Sequence, residues 1–492
     1  MTHPGAKAEP AAPKLSFRRR AKAEPAAPEL SFRPRAKAEP AAPELSFRPR
    51  AKAGAIATAL MAIVLGGSVA SAQVPQASET FDAAWTITRD SHFDKTMNGL
   101  DWDAVRAELK PRAAAATSPA ELRAVIRDML GRLGLSHFAL IPSGAGASRD
   151  GSAVESDTSG DPGIETRLLG RDLVVIAVDP AAQALVRPGW RITQIGSAPV
   201  ADLLRALPEG APGSSSARLQ NVEAWRIAQT RLRGPAGSKI DVTFENGQGA
   251  PVTVGLERRP ESGSPVTVGN LPTMYVRVEK GKKSTPSGGT AGVIKFNVWM
   301  AAVDAQFQRA MDELRQSDGI VIDLRGNPGG LAGMLMGISG HFVRDRKSLG
   351  VMKTRDSEFR FAANPRLVSA AGDRVEPFAG PVAILIDSMS GSASECFTGG
   401  MQSIGRARVF GQTSMGQALP ALFDRLPNGD VLIHAYGDFV TATGTRLEGR
   451  GVIPDEIVPL AREDLLAGRD RTMDAALAWI DRSARAKTPQ HP

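Results

Sequence analysis

Residues 382–395 read VAILIDSMSGSASE, an aliphatic run that passes through Asp387 into a string of small residues. Five consecutive aliphatic residues without polar alternation describe a strand buried on both faces. The small residues lead into a helix that begins near Ser392, includes Cys396 and Phe397, and closes over residues 399–405. A serine at such a junction lies beside unpaired N–H groups and the positive end of a helix, which favour a developing anion. An ordinary helix cap has the same local pattern.

Outward from this segment, strands and helices alternate. Residues 293–299, 320–324 and 408–410 are strand-like, whereas Ala302, Phe307, Met311 and Leu314 mark a helix over 301–316. Alternation of this kind predicts a layered α/β core. Met473, Ala476, Leu477 and Ile480 fall at i, i+3, i+4 and i+7, so an amphipathic helix follows the core. Residues 323–330, DLRGNPGG, overlap a strand end, and the paired glycines allow a backbone N–H to approach a ligand closely.

Further upstream, residues 76–142 are helical in pattern. Phe81, Trp85 and Ile87 open an apolar face, and Trp102, Val105 and Leu109 continue one. Ser118 and Glu121 are spaced as a capping box for a helix over 119–133. Residues 144–164 are mostly Gly, Ser, Ala and Asp and form a linker. Strands are expected over 173–178, 191–195 and 240–244, with a short Ala-rich helix and an Arg187-Pro188-Gly189 turn between the first two.

The chain's charge of +8 is misleading. Residues 1–52 hold twelve Lys/Arg against five Glu, or +7, so the remainder is nearly neutral and offers no nucleic-acid surface. That basic stretch contains a 15-residue unit three times (6–20, 21–35 and 36–50), rich in Pro and without a face to bury. Next comes an uncharged apolar run over 53–69, then Ala70-Ser71-Ala72. The order describes a secretory signal peptide cleaved after Ala72; a membrane anchor is the alternative. Cys396 is the only cysteine, so no internal disulfide forms. No HExxH or paired-Cys pattern calls for a metal, and no cofactor is expected.

Three motifs taken together resemble the C-terminal-processing (tail-specific) serine proteases, over about residues 76–460. They are DLRGNPGG, the serine-rich junction ending in Glu395, and LEGRGVIPD at 447–455. The resemblance implies a core with the crotonase and Clp protease fold (270–465), preceded by an N-terminal helical domain (73–143). It also implies a PDZ-like domain (165–262) that captures peptides or free C-termini, and leaves 466–492 as a C-terminal helix and tail. In the family pattern S-x-S-x-S-E the nucleophile is the middle serine, here Ser392, and the oxyanion hole matches Gly330 and Ala393.

One departure redirects the mechanism. The better-known branch uses a lysine about 25 residues after the serine, and here that position is Gln417, which takes no proton near neutral pH. The tricorn-core-like branch instead uses a histidine in an LG-x-SH stretch and a Glu before G-V-x-P-D. These match His137, beside Ser136, and Glu448. The resemblance thus implies Glu448, helped by Ser136, orienting His137 to deprotonate Ser392. The expected protein is an exported periplasmic or secreted serine endopeptidase with peptide or protein substrates. Competing readings are a catalytically inactive binding protein on this fold and an esterase-like hydrolase.

Overall fold

The computed structural model describes residues 76–143, 159–205, 207, 214–267 and 273–486. The repeats, the apolar run before Ala72 and most of the linker lie outside these residues. Helices α1 (Ala77–Ser91), α2 (Trp102–Ala114) and α3 (Pro119–Gly131) pack around Phe81, Trp85, Leu109 and Ile126. The two tryptophans lock α1 to α2 reciprocally, each indole N–H meeting the other residue's C=O at 2.9 and 3.3 Å. Ser118 caps α3 as expected, but Glu121 returns to Thr117 N–H (2.8 Å) instead of completing the box on Ser118. Strand β1 (Ala139–Ile141) then leaves this layer.

The β-rich unit is an antiparallel sheet in the order β2 (Ile164–Leu169), β3 (Asp172–Val178), β4 (Arg191–Ile195), β5 (Lys239–Glu245) and β6 (Pro251–Glu257). Its core joins Leu173, Val175, Ile192, Val242 and Phe244. The Ala-rich stretch between β3 and β4 is a run of turns rather than a helix: its backbone bonds go only to Asp179 C=O (from Ala182 and Gln183) and Ala182 C=O (from Leu185 and Val186), with no continuous ladder before Pro188. The long helix of this unit lies between β4 and β5 instead, as α4 (Ser215–Leu232), whose Ala224, Ala228 and Leu232 close over the sheet.

The core sheet runs β7 (Val278–Ser284), β8 (Thr290–Phe296), β9 (Gly319–Asp323), β10 (Val382–Ile386), β11 (Arg408–Gly411) and β14 (Glu456–Ile457), all parallel from β8 onward. Strands β9 and β10 are buried at every position, which explains why they read as unbroken apolar runs. Helices α5 (Ala302–Leu314) and α6 (Ala393–Ser403) cover one face. Helix α7 (Arg471–Arg485) covers the other through Met473, Ala476, Leu477 and Ile480. A smaller sheet, β1–β13–β12, pairs Ala139–Ile141 with β13 (Val431–Ala435), whose other edge meets β12 (Ala421–Arg425). Through it the helical layer is stitched onto the core.

Candidate active site

Ser392 caps α6 with φ 50° and ψ −115°. A residue with a Cβ pays roughly 1–3 kcal/mol for so rare a conformation, so its surroundings must enforce it. They do: its N–H is held by Gln417 C=O (2.9 Å) and by Glu395 Oε2 (3.0 Å), while its C=O accepts from Cys396 N–H (3.0 Å). The flanking serines are structural. Ser390 Oγ donates to Leu324 C=O at 2.8 Å, and Ser394 Oγ donates to Asn327 C=O (3.0 Å) while accepting from Trp299 Nε1 (2.8 Å). Both are fully buried, so Ser392 is the one of the three that reaches the surface.

The paired glycines have separate duties. At Gly329 (φ 106°) an added Cβ would stand 2.6 Å from Ser392 Cβ, and at Gly330 (φ 137°) it would stand 2.3 Å from Trp299 C=O. Trp299 bonds to the residues on either side of Gly330, giving its N–H to Gly329 C=O (2.9 Å) and taking Leu331 N–H (2.7 Å). A parallel bridge of this kind turns the N–H of Gly330 away from Trp299. Ala393 is the first residue of α6, so its N–H has no intrahelical acceptor. Neither N–H donates to a described residue. Asn327 fixes the loop, accepting Gly329 N–H on Oδ1 (3.0 Å) and donating from Nδ2 to Phe296 C=O (2.9 Å).

The second half of the site comes from the helical layer. Glu448 Oε1 accepts Ser136 N–H (2.8 Å), its Oε2 accepts Ser136 O–H (2.9 Å), and Ser136 Oγ lies 2.8 Å from His137 Nδ1. With the hydroxyl proton given to the carboxylate, Ser136 oxygen accepts from Nδ1–H, which leaves Nε2 unprotonated; this tautomer follows from the network. Burial pushes the His137 imidazole down to about 4, so it is neutral at neutral pH, and burial raises the Glu448 carboxyl. Ser136 stands between Glu448 and His137, and among the described residues no hydrogen bond joins those two directly. Among the described residues no hydrogen bond joins His137 to Ser392. The two halves meet at adjacent residues: Gln417 C=O holds Ser392 N–H, and Ala418 N–H donates to Glu448 Oε2 at 2.9 Å.

Sequence reading assigned no role to Glu395, although it ends the quoted serine pattern. Its buried carboxylate accepts four donors: Ser392 N–H, Ser414 O–H (2.6 Å), Gly416 N–H (2.6 Å) and Gln417 N–H (2.9 Å). Burial still raises it to about 7. Cys396 is buried and its thiol is pushed far up by desolvation, which leaves no thiolate to act. Of the remaining histidines, His92 and His341 are buried, and His434 bridges Ser91 Oγ and Asp424 Oδ2, each at 2.7 Å. No group of His, Cys, Asp or Glu among the described residues is arranged to hold a metal.

Comparison with known proteins bears on both halves. Residues 290–458 match peptidase family S41, and residues 75–131 match the tricorn protease C1 domain. Tricorn protease homolog 1 of Streptomyces coelicolor is 24% identical over 84% of this chain, which spans 35% of that protein. A carboxyl-terminal-processing protease of Synechocystis is 24% identical over 80% of this chain and 84% of its own length. Among solved structures, the photosystem II D1 C-terminal processing protease superposes with a TM-score of 0.52 at 22% identity, covering 82% of this chain and 99% of that one. Mature CPAF gives 0.59 at 12% identity, over 84% and 98%. S41 is thus matched across the core that carries Ser392, and a C-terminal-processing protease and a tricorn-type protease both align over four fifths of the sequence, so the chain is similar to the C-terminal-processing serine proteases.

Proposed function

We propose that this chain is a serine endopeptidase of the Ser/His/Glu type. Ser392 Oγ attacks the scissile carbonyl as its proton passes to His137 Nε2. The N–H groups of Gly330 and Ala393 receive the oxyanion, and the leaving amine takes the proton back from His137. Water then enters by the same route in reverse and frees the acyl group. The observation that carries this reading is the chain Glu448–Ser136–His137, in which His137 lies 255 positions and Glu448 lies 56 positions from Ser392 in sequence. It supplies a neutral imidazole where Gln417 supplies no base, and the tricorn C1 match covers the layer that presents it. Catalytic hydrogen bonds often form only with substrate bound, and the proposal places the His137–Ser392 bond at that stage.

The finer assignments belong to the same proposal. Residues 270–465 form a crotonase/Clp-like core and 165–262 a PDZ-like domain. Among the described residues strand β2 pairs only with β3, which leaves its other edge for an added peptide strand beside α4. Substrates are proteins or peptides presented by their C-termini, and the protein is exported after cleavage at Ala72. N-terminal sequencing of envelope or secreted protein should begin at Gln73; a retained 1–72 refutes export with cleavage. Casein and a peptide with a free C-terminus, tested beside a simple ester, should be cleaved by the wild type and not by Ser392→Ala. Ester turnover without peptide cleavage would mark an esterase, and folded protein inert to all three would refute the enzyme.

A further inference from the structure

A cavity of about 330 Å³ lies where the β-rich unit meets the C-terminal ends of the core strands. Parallel α/β sheets commonly bind ligands beyond those strand ends, and the volume is at the small end of the roughly 300–1,000 Å³ of small-molecule sites. None of Ser392, His137 and Glu448 lines it. Part of its wall is apolar, formed by Ile176, Pro188, Ile386, Leu460 and Leu465.

Charges gather on the same lining, and their hydrogen bonds are spent unequally. All five carboxylates are engaged. Glu165 and Asp387 hold Arg167 (2.9 Å each), Asp323 and Asp470 hold Arg325 (2.6 and 2.8 Å), and Asp464 holds Arg469 (2.6 Å) and Arg471 (3.4 Å). Two cations are only weakly engaged. Among the described residues Lys295 Nζ has Glu165 at 3.9 Å, beyond hydrogen-bond range, and Arg471 meets Asp464 at 3.4 Å. Donors on these two side chains therefore remain beside the hollow.

We infer that this cavity binds a small carboxylate with an apolar body, its charge met by Lys295 and Arg471. The site is separate from the proposed catalytic groups and stands whether or not they hydrolyse peptides. Two sources share the chemistry: the free C-terminus of an apolar peptide and a short fatty acid. Asp387 on the cavity wall also accepts Gly326 N–H (2.9 Å) and Met389 N–H (3.0 Å), so an occupant would touch the residue that ties together the loops flanking Ser392.

Calorimetric titration of the full chain carrying Ser392→Ala tests this, with N-acetyl-leucyl-leucine, its C-terminal amide, and octanoate as probes. At least one carboxylate should bind saturably, and the amide at least tenfold more weakly than its acid. The tighter carboxylate identifies the source. Lys295→Met combined with Arg471→Met should weaken that carboxylate at least tenfold. Ala461→Trp, which fills the hollow without touching those charges, should abolish binding in protein that unfolds at an unchanged temperature. Equal binding of acid and amide, binding that survives Ala461→Trp, or no binding by either carboxylate overturns the inference.

Discussion

The two halves of the candidate site are built by different means. Around Ser392 almost every restraint is backbone or buried side chain within the core: a both-faces-buried strand, a helix start, two glycines and the Glu395 carboxylate. Around His137 the restraints are long-range and polar. β1 adds to β13, Arg123 forms a two-pronged pair with buried Asp430 (2.9 and 2.8 Å), and Ser136 reaches Glu448. The nucleophile half follows from local sequence rules, whereas the base half exists only after the helical layer docks. Losing the first should remove chemistry without unfolding; weakening the second should remove chemistry through the fit of one layer on another.

The largest effect tests whether the halves act as a unit. Ser392→Ala and His137→Ala should each lower kcat by about 10⁴-fold or more, and the double variant should be no worse than the worse single. Multiplying losses would separate the halves. Gly330→Ala should cost about 10²–10³ in kcat, as expected for a lost oxyanion donor. Its added Cβ meets Trp299 C=O at 2.3 Å, so thermal unfolding should shift down with it. Unchanged kcat would remove Gly330 from the site.

Smaller effects fall on the docked half. Arg123→Ala removes the cation paired with Asp430, whose buried carboxylate keeps only Ser143 N–H and Asn428 Nδ2, at a cost of about 3 kcal/mol in denaturant unfolding. Peptidase activity should fall more than it does in a variant of equal instability within α7. Proportional losses would show that docking adds nothing specific. The pH dependence is subtler. His137 is held at about 4, below the ordinary 6.5, so its contribution to folding is full above about 6.5 and is lost as pH falls toward 4. His137→Phe should therefore lose less stability than wild type between pH 7 and pH 4, as followed by unfolding temperature. Parallel curves would place the imidazole in an ordinary aqueous setting.

This division also decides what could be read from the sequence. The strand over 382–386, the helix after Ser392 and the glycine loop are local patterns, and each stands where its residues predict. The α7 face at Met473, Ala476, Leu477 and Ile480 was equally legible, because a helix repeats its burial along the chain. Ser136 entered only through the family resemblance, as a helper of Glu448; its partner lies 312 residues away, and no periodicity reports such a distance. Glu395 looked like an ordinary first-turn acid, since the donors at Ser414, Gly416 and Gln417 arrive from another segment. Helix α4 carries no bulky stripe that would mark it in the sequence, because two of its three core positions are the small Ala224 and Ala228.

The account rests on His137, rather than any residue near Gln417, activating Ser392. Its most direct test is the rate of labelling by a fluorophosphonate probe across pH 4 to 8, in wild type, Ser392→Ala, His137→Ala and Gln417→Lys. Labelling should vanish in the first variant, drop steeply in the second, and persist in wild type to a pH well below 6.5, with Gln417→Lys bringing no gain. Wild-type labelling that is indifferent to His137, or that needs the lysine restored, would contradict it.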